Sequence, residues 1–189
     1  MIISRENLVE LLDMDLELEI TGAIQCINHS VMLTGVACGD IARVLRIYAH
    51  KKIDHAITLA DQITYFGGFP SIRVGKVHIS TDNEEMLLFD FEDREDAIRR
   101  YRIRIEQAEQ LKEMELSRRL RMILRVEQQY AMHLKKQVFA GTRANEGTNL
   151  SSMNACDFSQ QWAGNAAKVP IRVKNRTTWN ADQPLRRLQ

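Results

Sequence analysis

Four stretches of this chain each carry a charged side chain inside an otherwise apolar helical seam. In the second stretch, Ile41, Leu45, Tyr48, Lys52, His55, Leu59, Ile63 and Phe66 follow at gaps of three and four. That spacing places side chains on one face of an α-helix. Lys52 and His55 therefore lie on the face that a core covers. The first seam is Leu8, Leu12, Leu16, Glu19, Ala23, Cys26, Ser30 and Leu33, with Glu19 inside it. The third runs Leu87, Phe91, Arg94, Ile98, Tyr101, Ile105, Ala108 and Leu111 around Arg94. The fourth is Leu116, Leu120, Ile123, Glu127, Tyr130, Leu134 and Val138, around Glu127. Four seams of helical period predict an all-α antiparallel four-helix bundle.

Local signals place the breaks. Ser4 is the expected cap of the first helix, with Asn7 three positions on. Gly35 and Gly39 bracket a short turn, and Asp40 is the expected cap of the second helix. Gly67-Gly68-Phe69-Pro70 stops that helix. Residues Ser71–Ser80 read as a long extended crossover between the second and third helices. Thr81 or Asp82 caps the third helix, with Glu84 and Glu85 in its first turn. A break is expected near Lys112–Glu115, and Gly141 is the expected end of the fourth helix. Asp13, Asp15 and Glu17 fall mostly off the first seam. Arg99, Arg100, Arg102 and Arg104, interleaved with Asp93, Glu95, Asp96 and Glu106, read as solvated pairs on outer faces.

The helical period fails from Thr142. Residues 1–140 are thus the bundle and residues 141–189 an irregular C-terminal arm. Trp162 and Trp179 make that arm an expected partner-binding segment, since tryptophans anchor well in pockets. The bundle carries 19 basic against 22 acidic residues and the arm 7 against 3. Seven basic residues spread along the arm form no dense patch, which argues against nucleic acid. No apolar run reaches membrane-spanning length, and the N-terminus does not read as a secretory signal. Cys26, Cys38 and Cys156 show no metal-binding spacing and read as free thiols, so a cytoplasmic location is expected.

Aligned by depth, the four seams bring Glu19, Lys52, Arg94 and Glu127 to one level, with His55 and Tyr130 one turn away. Two carboxylates and two permanent cations sum to zero. An unpaired charge there would be expensive, whereas a hydrogen-bonded cluster is self-neutralising. A bundle holding two irons needs other residues: a carboxylate from each of two helices and Glu-x-x-His from each of the others. Here those segments are Lys52-Ile53-Asp54-His55 and Glu127-Gln128-Gln129-Tyr130. Ammonium and guanidinium groups offer iron no lone pair. Asp54 and Glu95 are the nearest replacement acids, but a helix turns about 100° per residue and carries both off the centre.

At these positions residues 1–138 resemble a bacterioferritin. Glu19-Ile20-Thr21-Gly22-Ala23-Ile24-Gln25 is similar to that family's first-helix ligand segment. Gly67-Gly68-Phe69-Pro70 resembles its helix-ending turn. Gly75-Lys76-Val77-His78-Ile79 with Glu84-Glu85-Met86-Leu87 resembles its crossover and third-helix start. Ser117-Arg118 and Ile123-Leu124 before Glu127 resemble its fourth helix. The resemblance implies a ferritin-like bundle, a hollow 24-subunit shell and a di-iron site. It also marks the departures. Lys52 stands at a bridging glutamate, Arg94 at the third-helix glutamate and Tyr130 at a histidine, while Glu19, His55 and Glu127 match. Ile53 falls at the haem-ligating methionine, so no haem is expected. Cys26 replaces a tyrosine and reads as a small buried thiol.

The expectation is a non-catalytic structural or assembly subunit. Its ion-pair cluster replaces the metal centre, and it acts within a ferritin-type shell or a hetero-complex held through the C-terminal arm. No resident cofactor is expected. The alternative is an iron-storage subunit or ferroxidase with a non-standard iron site of Glu19, His55, Glu127, a shifted Asp54 or Glu95, and Tyr130 as a further ligand.

Overall fold

The computed structural model describes residues 3–35 and 38–144, with side chains through Gln137. The arm with Trp162 and Trp179, Cys156, and the side chain of Val138 lie outside the described residues. The chain divides into units Met1–Asn149 and Leu150–Gln189, and every described residue belongs to the first.

Four helices form: α1 (Arg5–Met32), α2 (Gly39–Tyr65), α3 (Asn83–Gln110) and α4 (Met114–Ala144). The Ser4 hydroxyl accepts the Asn7 N–H and the Asp82 carboxylate accepts the Glu85 N–H, so two helices begin at the side chains that the sequence offered. Helix α2 differs. It starts at Gly39 behind Cys38, which supplies no side-chain cap, and Asp40 sits inside its first turn. A carboxylate there still faces the positive end of the helix dipole.

Helix α2 closes with Gly67 at φ +81°. The Gly67 N–H bonds Thr64 O and the Gly68 N–H bonds Ile63 O, the paired bonds of a Schellman ending. Helix α3 ends with the same pair of bonds, Lys112 N–H to Glu109 O and Glu113 N–H to Ala108 O. Here Lys112 takes φ +62°. The break therefore falls one or two residues before the expected one and needs no glycine. Helix α4 continues through Gly141 to Ala144, because one glycine costs a helix only about 1 kcal/mol.

The helices bury two apolar clusters, one at each end of the bundle. One holds Leu8, Leu12, Leu59, Ile63, Tyr101, Ile105, Leu116 and Leu120. The other holds Cys26, Ile41, Leu45, Tyr48, Leu87, Tyr130 and Leu134. The charged residues of the four seams lie between them.

The crossover contains no strand and is fastened to α1. Asp13 accepts the Ser71 N–H at 2.6 Å, and Glu17 accepts the Ser71 hydroxyl at 2.5 Å and the Arg73 guanidinium at 2.8 Å. Thr21 Oγ1 accepts the Gly75 N–H at 2.8 Å. Gln25 accepts the His78 N–H at 2.9 Å, and His29 Nε2 lies 2.8 Å from His78 O. One row of α1, stepping by four, thus satisfies an extended segment that has no sheet to pair with. The crossover runs parallel to α1 and delivers α3 beside Thr34, whose carbonyl accepts from Asn83.

Candidate functional site

Helices α1 and α4 each contribute one fully buried carboxylate, and α2 and α3 contribute the cations. Lys52 Nζ lies 3.0 Å from Glu19 Oε2 and 3.6 Å from Glu127 Oε1. Arg94 Nη1 lies 3.3 Å from Glu127 Oε2. His55 Nδ1 sits between the carboxylates, 3.4 Å from Glu19 Oε2 and 3.3 Å from Glu127 Oε1. Glu19 and Glu127 are 0% exposed, Arg94 is 1% and Lys52 3%. At that depth each pair is worth keeping only because its partner would otherwise be stranded.

Space for Lys52 comes from Gly22, one turn after Glu19. A Cβ on Gly22 would stand 2.8 Å from Lys52 Cε and 2.9 Å from Lys52 Cδ. The lysine stem crosses α1 over a residue with no side chain and so reaches Glu19.

The protonation pattern follows from these contacts. Burial pushes the Glu19 carboxyl up, but the bonds from His55 and Tyr101 and the nearby Arg94 charge hold it below its ordinary value. Burial pushes the His55 imidazole down, but Glu127 and Glu19 outweigh that and raise it to about 9. His55 is therefore a third cation of the cluster at neutral pH.

Two side chains act differently from the expectation. Tyr130 packs against the Tyr48 ring, and the phenol that bonds the cluster belongs to Tyr101, whose hydroxyl donates to Glu19 Oε1 at 2.7 Å. A buried tyrosine usually finds a hydrogen-bond acceptor, and Tyr101 lies in the third seam two turns after Arg94. Cys26 is more than a space-filling thiol, because Arg94 Nη2 donates to its sulfur at 3.0 Å. Burial pushes that thiol well up, so it stays protonated.

Asp54 and Glu95 stand away from the centre. Asp54 is exposed and pairs with Lys51 at 3.1 Å, and Glu95 is half-buried. Ile53 is 43% exposed. Among the described residues, one group offers three metal-ligating side chains together: Glu19, His55 and Glu127, with one donor atom each within 4.8 Å of the others.

Two further polar clusters join α1 to α3. Asp15 is 1% exposed and accepts from Arg100 at 3.1 Å and from Arg104 at 2.9 Å. Arg104 is 7% exposed, so neither Asp15 nor Arg104 is the solvated surface residue that its off-seam position suggested. Toward the other end, His29 Nδ1 faces Asp90 at 3.0 Å, and the Gln25 amide donates to both Asp90 and Asp93. Spacing within one helix reveals none of these partnerships, since the partners lie 61 to 89 positions apart.

Among the described residues, no helix is long and apolar enough to cross a membrane. Cys26 and Cys38 are free thiols.

The sequence profile of the family described as the ferritin-like domain matches residues 9–142. No curated protein matches the chain. Among solved structures, ferritin-like, diiron-carboxylate proteins from Bacillus anthracis str. Ames align at 25% identity with a TM-score of 0.69, covering 72% of this chain and 99% of that one. Mycobacterium tuberculosis bacterioferritin, BfrA, aligns at 22% identity and a TM-score of 0.69 over 76% of this chain and 91% of its own. Rhodobacter capsulatus bacterioferritin, described with a metal-free dinuclear site and haem iron, aligns at 16% identity and a TM-score of 0.68 over 79% and 99%. At those two identities the likeness concerns the fold.

Proposed function

The chain belongs to the ferritin-like domain family, and from that premise we propose that it is a non-catalytic structural or assembly subunit, whose buried ion-pair cluster stands where relatives keep a di-iron centre. The observation that carries this reading is the position of Lys52 Nζ, 3.0 Å from one carboxylate and 3.6 Å from the other. An ammonium group between the two acids occupies the space that a bridging metal needs, and it repels a dication. Arg94 claims a second oxygen of Glu127. The donor set does not fit a bridged metal pair, and no oxidation step is derived through one. What the cluster does is hold four helices in register by charge pairing.

The family's fold makes an oligomeric assembly the natural setting. In this reading the subunit contributes outer faces and a rigid core to a shell or a mixed complex, and the C-terminal arm engages a partner chain.

The test is anaerobic loading with Fe²⁺, followed by metal analysis and stopped-flow oxidation. Iron oxidation no faster than in buffer is expected, with no metal retained between Glu19 and Glu127. A bridged pair of irons there would overturn the reading. The variant combining Lys52→Glu, Arg94→Glu and Tyr130→His should regain iron binding.

A second reading rests on the convergence of Glu19, His55 and Glu127 within 4.8 Å. Three donors suit a single ion, and the protein would then be an iron-handling subunit of a storage shell. Retention of one iron per chain, lost in His55→Ala, would favour this reading over the first.

A further inference from the structure

We propose that the crossover between α2 and α3 is a strap closing a port to the buried cluster, and that the His29 side chain is its latch. A cavity of about 130 Å³, partly open to solvent, lies beside the crossover. Its lining includes Lys76 and His78 of the crossover, Gly22 and Gln25 of α1, Asp93 of α3 and the buried Lys52 of α2. A Cβ on Gly22 would stand 2.8 Å from Lys52 Cε, and with no side chain there both Gly22 and Lys52 line that cavity. The crossover is the one wall that is not a helix, and side chains of α1 supply the hydrogen bonds that hold it at Gly75 and His78.

The latch has a definite protonation requirement. His29 is 0% exposed and its ring lies between two acceptors, Asp90 Oδ2 at 3.0 Å and the carbonyl of His78 at 2.8 Å. A carboxylate and a carbonyl both need a proton from the ring, so both nitrogens must carry one. The neutral ring has one proton and leaves a buried acceptor facing a lone pair. The charged groups that act on His29 are Asp90 and Asp93 on α3, and the crossover meets it through the His78 carbonyl. Burial pushes the His29 imidazole down, and the Asp90 bond and charge, the His78 carbonyl and Asp93 outweigh this and raise it. The latch is thus engaged at lower pH and releases as pH rises through that raised value. Release frees His78 first, because Gln25 must then hold it alone. Ser71, held by Asp13 and Glu17 four turns of α1 away, stays in place.

Amide hydrogen exchange between pH 6 and 10, corrected for intrinsic rates, tests the strap. The His78 amide should lose at least tenfold protection across the His29 transition, while the Ser71 amide keeps its own. In His29→Gln the His78 amide should be weakly protected at every pH. Constant His78 protection in the unaltered protein, or a pH step that survives in His29→Gln, would overturn the proposal. Should His29→Gln fail to fold, ring ¹⁵N shifts of the unaltered protein decide the matter: both nitrogens protonated at pH 6 is expected, and a neutral tautomer there refutes the latch. The port has its own readout at constant pH 7. Reductive methylation by formaldehyde with cyanoborohydride as hydride donor should reach Lys52 at least tenfold faster in His29→Gln than in the unaltered protein, relative to exposed Lys135. Equal rates would remove the port.

Discussion

Gly22 and Lys52 are a matched pair: a Cβ on any other residue at position 22 would stand 2.8 Å from Lys52 Cε and 2.9 Å from its Cδ, closer than packed carbon atoms come. The buried lysine and the missing side chain belong to different helices, and each makes sense only with the other. Gly22→Ala should therefore destabilise the protein by about 1–3 kcal/mol through overpacking. Helix propensity alone would give a gain of about 1 kcal/mol. In a Lys52→Ala background the same change should be neutral or stabilising. Urea unfolding of the four proteins in this double-mutant cycle gives the coupling directly.

Arg94→Ala should cost about 2–4 kcal/mol more than Arg99→Ala. The first leaves Glu127 Oε2 without its cation in the core and Cys26 without its donor. The second removes an exposed partner of Asp96, a contact worth little. Equal unfolding midpoints for the two variants would disprove the difference in depth.

Asp15→Ala should behave like a core lesion. It leaves the Arg104 guanidinium, 7% exposed, without its carboxylate. A loss of about 3 kcal/mol is expected, measured by chemical denaturation. Asp96→Ala serves as the exposed control and should change stability by under about 0.5 kcal/mol.

Stability should fall on the alkaline side because of His55. Its folded-state value is raised to about 9 from an ordinary 6.5. The folded protein therefore binds this proton more tightly than the unfolded chain does, and the contribution is complete below pH 6.5. It fades as pH rises from there and is gone above pH 9. Unfolding midpoints of the unaltered protein should drop across that window, and those of His55→Gln should lack this component.

Lys112→Gly should stabilise by about 0.5–1 kcal/mol. The lysine holds φ +62° at the end of α3, a region that costs a side-chain-bearing residue about 1–2 kcal/mol, offset in part by the greater chain entropy of glycine. Thermal unfolding measures the gain.

The apolar seams made the bundle legible, since their period is local to each helix. Glu19, Lys52, Arg94 and Glu127 could be picked out for the same reason: a charge within a regular apolar series has nowhere to go but inward. Asp15, Arg104, His29 and Asp90 were not legible. Each lies just beside a seam, where a polar residue reads as solvent-facing, and burial comes from a partner far away in the chain. The row Asp13, Glu17, Thr21, Gln25 and His29 did carry a signal in its regular step of four. That step means nothing until the crossover is known to lie along it. Tyr101 was visible as a core residue, but its hydroxyl could reach Glu19 only once α1 and α3 were set in antiparallel register.

The five rungs between α1 and the crossover also govern which changes of length the first helix tolerates. One residue inserted between Thr21 and Gln25 would turn everything beyond it by about 100°. Gln25 and His29 would swing away from His78 while Cys26 left Arg94, so a single insertion would unfasten the strap and the core together. Loops elsewhere can grow or shrink over generations; this helix behaves like a key whose teeth must all be cut at once.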